Sequence, residues 1–538
     1  MRKRGKIPAL LLSIILLSCL LTACSPGAKQ EPPAETQTVE PEAARYLVAI
    51  EDEPDTVDFQ CTSIHYTIAQ NVFNRLVEME GDENGDMVIL PSLAESWEIS
   101  EDRRQYTFHL RKDVKFSNGE ALTASDVYYT FLRLMNHPDS CNQDIVEMIE
   151  GGAALTGFEI LGDYEFTITL SQPFEAFLAC LSMPGASILD EETTEKAGDR
   201  FGLDPEATIG TGSFILTEWE AGKGLVLTAN PDCWAGAPKC AGLDLRFMND
   251  SEQVKTLFDA DGLDILNLDE LGDTAEYYLH GNACADRLHE VQQIGITYIA
   301  LNETVQPLDD ARVRRALQLV LDRQVLLDAI YNGRGRVENG IFPHGLYGND
   351  PDLSEIPCDP ESARALLEEA GLGDGFEFTI SVNAASTQWE LALLTLAASM
   401  WEEIGVTANI EVLPEDEFMP LRKTGGLACY AATWIADYND PDNFIYTFFG
   451  SRENTTFRSL CYPNDDIIAR VHGARAIGDP DSRVAEYRAL EKTIIQDDAA
   501  WIPLFSRLRY YVSSERLKGF RASWNGSVKN NYREMTIG

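Results

Sequence analysis

The sequence lacks the motifs that mark common catalytic and metal sites. Only seven histidines occur in 538 residues, and no cysteine pair has the C-x-x-C spacing of zinc ribbons and thioredoxin-like redox sites. There is no G-x-S-x-G, no H-E-x-x-H and no G-x-x-x-x-G-K-[ST], so the chain is not itself an ATPase. Residues 210–212 lack the third glycine of a dinucleotide fingerprint, and the glycine of residues 259–262 comes too early for a calcium loop. These absences predict that the protein is not an enzyme and holds neither a metal nor a cofactor.

Basic residues are also scarce. Lysine and arginine number 43 against 87 aspartates and glutamates, which gives a formal net charge of -44. Such a field repels nucleic acid and anionic lipid headgroups, so neither is an expected partner. It favours cationic ligands only mildly, because salt screens it beyond about 8–10 Å. Solubility alone is the other interpretation of this charge.

The N-terminus has the layout of an export signal. A basic stretch, Arg2–Lys6, precedes the apolar run Ile7–Leu21, which is at the short end for a membrane span. Leu21–Cys24 resembles a bacterial lipobox, which predicts cleavage before an acylated Cys24 and removal of signal residues 1–23. Residues 24–44 then form a lipid anchor and a disordered tether rich in Pro, Glu and Thr. An ordinary signal peptide or a plain membrane anchor remains the alternative.

Nine further cysteines follow, an odd number, so at least one thiol of the exported chain is free. They are Cys61, Cys141, Cys180, Cys233, Cys240, Cys284, Cys358, Cys429 and Cys461. The short spacing of Cys233 and Cys240 would allow a small disulfide loop. Buried free thiols are the alternative.

The mature chain alternates strand and helix patterns. Apolar and polar residues alternate in 106–110 and 164–170, which predicts half-buried strands. Between residues 313 and 321 apolar residues recur at helical spacing, with Gly333 as a stop. Asp359-Pro360 begins a second helix that ends at Gly371.

The stretch that follows predicts a βαβ unit. Its parts are a strand at 376–382, a helix near 389–404 and a strand at 406–412. We therefore expect a sheet covered by helices. The length of the chain suggests three or four domains.

Four segments in order resemble the peptide/nickel family of ABC-importer solute-binding proteins. The first is P-S-L-A-E-S-W at 91–97, followed by Y-T-F-H-L-R-K at 106–112 and V-K-F-S-N-G-E at 114–120. The second is G-T-G-S-F at 210–214 with Trp219, N-P-D at 230–232 and Trp234. The third is D-D-A-R-V-R-R-A-L at 309–317, and the fourth is W-I-A-D-Y-N-D-P at 434–441. The resemblance runs from about residue 45 to the C-terminus.

The resemblance implies an α/β fold of the two-lobed, class II periplasmic-binding-protein type, with an extra domain inserted in the first lobe. Lobe I would comprise 45–72, 188–296 and 505–538, the inserted domain 73–187, and lobe II 297–504. It implies a monomer that captures peptides on the extracytoplasmic face of the cell membrane and delivers them to ABC permease subunits. The lipid anchor would be its only attachment to the membrane. A cargo such as a nickel chelate, haem or a glycoside, and a role as a peptide-signal receptor, remain alternatives.

The fourth segment carries the ligand-binding residues that the resemblance implies. In the oligopeptide-binding branch, the aspartate of W-x-A-D-Y-N holds the peptide's α-ammonium, and here it is Asp437. Trp434 would line a side-chain pocket, with Tyr438 and Asn439 beside it. Some oligopeptide binders carry an arginine where Ala431 stands, facing the ligand's C-terminal end. Arg422 or the adjacent Lys423 is the expected substitute.

Overall fold

The computed structural model describes residues 45–50, 53–62, 66–81, 87–280, 284–385, 388–523, 525 and 532–538. The predicted signal peptide, Cys24 and the tether lie outside the described residues. Across the described ranges, no helix is both long enough and apolar enough to span a bilayer.

The described strands are β1 (Arg45–Ile50), β2 (Val77–Gly81), β3 (Met87–Pro91), β4 (Ala94–Ile99), β5 (Gln105–Leu110), β6 (Phe158–Gly162), β7 (Glu165–Thr169), β8 (Phe214–Glu220), β9 (Gly224–Ala229), β10 (Gly242–Phe247), β11 (Ile265–Asn267), β12 (Leu288–Gln292), β13 (Gly295–Leu301), β14 (Gly335–Val337), β15 (Phe376–Asn383), β16 (Val406–Leu413), β17 (Cys429–Ile435), β18 (Trp501–Ser513), β19 (Leu517–Lys518) and β20 (Thr536–Ile537).

The described α-helices are α1 (Tyr66–Val72), α2 (Ala124–Asn136), α3 (Phe177–Cys180), α4 (Glu191–Ala197), α5 (Ser251–Asp259), α6 (Glu276–His280), α7 (Ala311–Leu319), α8 (Arg323–Tyr331), α9 (Pro360–Glu369), α10 (Gln388–Glu402), α11 (Glu415–Lys423), α12 (Pro441–Phe449), α13 (Arg452–Phe457), α14 (Asp465–Ala474) and α15 (Pro480–Lys492).

The largest sheet is held together by its longest strand, β18. The strand order is β17-β13-β18-β11-β1-β10-β9-β8, and β12 and β14 also pair with β18. The first half of β18 pairs with β13 and β14, and its second half pairs with β11 and β12. One continuous strand therefore runs from the neighbourhood of β17 to that of β1.

The predicted βαβ unit is confirmed. Strands β15 and β16 pair in parallel, with Phe376 opposite Val406 and Asn383 opposite Leu413, and α10 connects them. The alternating segments 106–110 and 164–170 correspond to β5 and β7, which are neighbours in a four-stranded sheet ordered β4-β5-β7-β6. The helix beginning at Asp359-Pro360 is also confirmed as α9, with the Asp359 side chain accepting a hydrogen bond from the Ser362 amide.

The helical pattern at 313–321 is confirmed as α7, but Gly333 follows a second helix, α8, and does not end this one. Helix α7 ends at Leu319, and α8 begins at Arg323 with Asp322 as its N-cap. The Asp322 side chain accepts a hydrogen bond from the Val325 amide at 3.0 Å. Apolar residues keep their helical spacing across the break between α7 and α8, so hydrophobic periodicity alone does not reveal this break.

Buried apolar side chains form four clusters. The largest joins residues between 294 and 505. A second joins residues between 76 and 188, together with Tyr438. A third and a fourth join residues from three parts of the chain, which lie within 46–73, 189–291 and 510–537. The domain boundaries stated above stay a prediction.

Candidate ligand-binding cleft

A cavity of about 620 Å³ opens beside Asp437. Its other described lining residues come from residues before 236 or after 520, so Asp437 is the one described lining residue from the stretch 294–505. A cavity with walls from separately packed parts of a chain is a typical place for a small ligand. The lining is about half polar, and its polar residues include Gln70, Asn74, Glu78, Ser92 and Arg533.

Local structure fixes the position of Asp437. Strand β17 ends at Ile435, and the Ala436 amide donates to the Ile294 carbonyl at 2.8 Å. The Asn525 side chain, from the C-terminal part of the chain, donates to the Ala436 carbonyl at 2.9 Å. Helix α12 then begins at Pro441, capped by Asp440. Asp437 therefore lies in a short connection that is anchored on both sides.

Asn443, in the first turn of α12, organises this connection. Its Oδ1 accepts from the Asp437 amide at 3.0 Å and from the Trp434 indole N–H at 3.3 Å. Its Nδ2 donates to Asp437 Oδ2 at 3.3 Å. One buried amide thus fixes both the carboxylate and the indole that the sequence assigns to the ligand.

The charge of Asp437 acts on two groups from other elements, the carboxyl of Asp144 and the hydroxyl of Tyr66. Desolvation raises the pKa of Asp144, an exposed residue, to about 7, and the Asp437 charge is the next largest contribution to that rise. Glu147 raises it further, while Arg475 opposes the rise. Burial and then Asp437 also raise the pKa of Tyr66. A cation placed at Asp437 would relieve this repulsion between carboxylates.

Comparison with known proteins shows the family to which this chain belongs. The model of "Bacterial extracellular solute-binding proteins, family 5 Middle" matches residues 88–456. This protein belongs to that family. It is 29% identical over 470 residues to Heme-binding protein A of Haemophilus influenzae, covering 84% of each chain. It is 28% identical over 479 residues to the Dipeptide-binding protein of Escherichia coli, covering 84% of this chain and 86% of that relative.

A solved family 5 fold matches as well. The structure of HbpA2 from Haemophilus parasuis superposes with a TM-score of 0.77 at 27% identity, covering 92% of this chain and 100% of that one. The resemblance stated from the sequence is confirmed. So is the fold class, a two-lobed α/β fold of the periplasmic-binding-protein type with an added domain. Because family 5 comprises extracellular solute-binding proteins, this protein acts outside the cytoplasm.

The other predicted residues of this family 5 protein lie around Asp437 in different settings. Trp434 is half-buried and packs edge-on against Phe448, with ring centres 5.5 Å apart. Tyr438 is buried in the 76–188 cluster, and its hydroxyl donates to Asp442 at 3.1 Å. Asn439 accepts from the Tyr347 amide at 2.6 Å. The structure therefore brings Trp434 and Asp437 together through Asn443, whereas Tyr438 and Asn439 contact other parts of the chain.

Arg422 lies apart from the 620 Å³ cavity, near Phe457. Its guanidinium carbon is 5.8 Å from the centre of the Phe457 ring, and the Lys423 ammonium is 5.5 Å from the same ring. The buried Nε of Arg422 has no hydrogen-bond partner among the described residues. Ala431 is buried in β17.

Sequence reasoning missed Asn443 and Asp144. Asn443 follows the W-x-A-D-Y-N-D-P segment by two residues, and its place in the first helical turn after Asp440-Pro441 is the signal that identifies it. Asp144 has no local sequence signal, because only tertiary packing brings it near Asp437.

Within the described residues, the cysteines form no disulfide and the potential metal ligands form no metal site. The nine cysteines within the described ranges are free thiols, including Cys233 and Cys240. In the part of the chain that the structure describes, no group of three or more His, Cys, Asp or Glu side chains is arranged to hold a metal ion.

Proposed function

We propose that this protein captures peptides in the cleft beside Asp437 and delivers them to the permease of an ABC importer. The observation that carries the proposal is a carboxylate fixed by Asn443 at the wall of a 620 Å³ cavity. Family membership and the likeness to the Dipeptide-binding protein of Escherichia coli over 84% of the chain support it.

Recognition would rest on charge at one end of the peptide and on backbone pairing along it. A carboxylate that accepts hydrogen bonds from an α-ammonium forms a charge-assisted contact, which is about twice as strong as a neutral one. The nearby carboxylate of Asp144 favours the cation at the same place. Cleft backbone groups would pair with an extended peptide as with an added strand, which reads the main chain and tolerates many side chains.

Haem is the second candidate cargo. The likeness to Heme-binding protein A of Haemophilus influenzae, at 29% identity, favours it over the remaining alternatives. Mass spectrometry of the ligand that co-purifies with the protein distinguishes the two. The proposal expects peptides with free N-termini, and haem or a metal chelate as the bound species would contradict it.

Anchoring and domain layout belong to the same proposal. Cys24 would carry lipid and hold the protein on the outer face of the cell membrane as a monomer. Lobe I would comprise 45–72, 188–296 and 505–538, the inserted domain 73–187, and lobe II 297–504. The separate packing of the 294–505 and 76–188 clusters supports this layout.

A further inference from the structure

Two cysteines from distant parts of the chain, Cys61 and Cys141, lie next to each other. The Cys141 amide donates to the carbonyl of Gln60, the residue before Cys61, at 3.0 Å. Because peptide geometry is fixed on both sides of this hydrogen bond, the two cysteine α-carbons are at most about 7 Å apart. The charge of the Cys141 thiolate also acts on the Cys61 thiol. Disulfides join α-carbons about 4.4–6.8 Å apart, so this pair can form one with little movement of the backbone.

Asn142 holds the two cysteine segments together. Its buried Nδ2 donates to the Phe59 carbonyl at 3.0 Å and to Cys141 Sγ at 3.3 Å. A hydrogen bond donated to sulfur favours the thiolate over the thiol. Cys141 is exposed, whereas Cys61 is half-buried. A reagent in solution therefore meets Cys141 first.

A histidine beside Cys61 can accept its proton. His137 Nδ1 lies 3.3 Å from Cys61 Sγ. The Asp139 amide donates to the same nitrogen at 3.3 Å, so Nδ1 carries a lone pair and not a proton. Desolvation and then the Asp58 charge raise the pKa of the Cys61 thiol to about 12, while Arg133 opposes the rise. Cys61 is therefore protonated at neutral pH, and its sulfur needs a base before it can attack.

The cysteine pair lies where two separately packed parts of the chain meet. Phe59, two residues before Cys61, packs in the cluster that contains residues 46–73. Cys141 follows α2, whose apolar side chains pack in the 76–188 cluster. Across this junction the Arg133 guanidinium of α2 pairs with the Asp58 carboxylate. A covalent bond at this point would fix the two parts relative to each other.

We propose that Cys61 and Cys141 form a disulfide that joins the 46–73 segment to the 76–188 part of the chain when the protein meets an oxidant outside the cytoplasm. The oxidant is itself a disulfide, R–S–S–R, of a small molecule or of a thiol oxidoreductase. The Cys141 thiolate attacks it, releases one R–S⁻ and forms a mixed disulfide. Cys61 then passes its proton to His137, attacks the Cys141 sulfur and releases the second R–S⁻. Two protein thiols become one disulfide, and the two R–S⁻ take up the two protons as R–SH.

Oxidation of the reduced protein with bis(2-hydroxyethyl) disulfide tests this proposal, whichever solute the cleft binds. Peptide mapping by mass spectrometry should find Cys61 linked to Cys141, and the intact mass should fall by two hydrogens. The melting temperature should rise by roughly 3–5 °C, because the bond closes a long loop of the unfolded chain. Cys61→Ser should retain the mixed disulfide at Cys141 and show no such rise. Cys358→Ser, which removes an exposed cysteine elsewhere in the chain, is the matched control and should behave as the wild type.

The rate of ring closure tests the role of His137. His137→Gln should convert the mixed disulfide to the Cys61–Cys141 bond about tenfold or more slowly at pH 7, because it lacks the base. The difference from the wild type should shrink as the pH rises and hydroxide removes the Cys61 proton, and the final extent of linkage should be unchanged. An equal rate in both proteins at pH 7 would contradict the assignment of His137 as the base.

Two outcomes would overturn the disulfide itself. The first is a wild type that stops at the mixed disulfide, as Cys61→Ser does, or that links a different pair such as Cys233 and Cys240. The second is a Cys61–Cys141 bond that forms only after the protein is unfolded in urea, which would show that the folded chain keeps the two thiols apart.

Discussion

Asn443 bonds to Asp437 through both atoms of its side-chain amide. Its Oδ1 accepts from the Asp437 backbone N–H at 3.0 Å, and its Nδ2 donates to Asp437 Oδ2 at 3.3 Å. The carboxylate is therefore held in one orientation before ligand arrives. Fixing a binding group in advance lowers the entropic cost of association.

Asn443→Ala should weaken peptide binding by releasing Asp437. Loss of hydrogen bonds to a charged, half-buried group costs about 1.5–3 kcal/mol, which corresponds to roughly 10- to 150-fold in affinity. Isothermal calorimetry measures the change. The matched control is Asn302→Ala, since Asn302 is also buried but lies past the opposite end of β13. The control should lower the melting temperature without changing the affinity, and an equal loss of affinity in both variants would contradict a specific role for Asn443.

Ligand binding should release protons near neutral pH. Desolvation and the Asp437 charge raise the pKa of Asp144 to about 7, with Glu147 adding to the rise and Arg475 opposing it. An ammonium bound at Asp437 lowers that pKa again, so Asp144 gives up its proton on binding. Affinity should therefore rise as the pH increases towards 7 and level off above it.

Calorimetry in two buffers of different ionisation enthalpy detects the released protons. Asp144→Asn should remove most of the proton release and flatten the pH dependence between about 5 and 7. A wild type that releases no protons at pH 6.5 would show that Asp144 does not sense the ligand.

Arg475 should be important for stability. Its Nε lies 3.1 Å from Oδ1 of the fully buried Asp442, and its guanidinium carbon lies 3.7 Å from the Tyr446 ring centre and 4.1 Å from that of Phe174. Arg475→Met leaves the Asp442 charge buried without its cation and should cost about 3–5 kcal/mol of unfolding free energy. Urea unfolding measures this cost. Arg470→Met, at an exposed ion pair, should cost less than about 1 kcal/mol. Equal losses in the two variants would argue against the buried pair.

Cys24→Ser should release the protein from the membrane or leave its precursor unprocessed. Two or more acyl chains give stable attachment, whereas one chain gives only marginal binding. Fractionation and labelling with a fatty acid analogue measure the change. A variant that still incorporates the label and stays with the membrane would refute the assignment of the lipid to Cys24.

Local sequence patterns predicted local structure well and long-range contacts poorly. The βαβ unit at 376–413 follows from strand alternation, helical spacing and a glycine between them, all of which act over a few residues. The break between α7 and α8 depends on one capping side chain, Asp322, that interrupts an otherwise continuous apolar period. Site geometry depends on residues far apart in sequence. Asp144 and Asp437 come close only because two separately packed regions lie against each other, and no periodicity encodes that contact.

The most direct test of the central claim compares two proteins with two peptides. Wild type and Asp437→Asn are titrated by calorimetry with a free peptide and with its N-acetylated form. The account predicts that acetylation and the substitution each weaken binding by about 2–5 kcal/mol, and that the two losses do not add, because both remove the same ammonium–carboxylate contact. Additive losses, or an Asp437→Asn variant that is less stable but keeps the full acetylation penalty, would contradict the claim that Asp437 holds the peptide's α-ammonium.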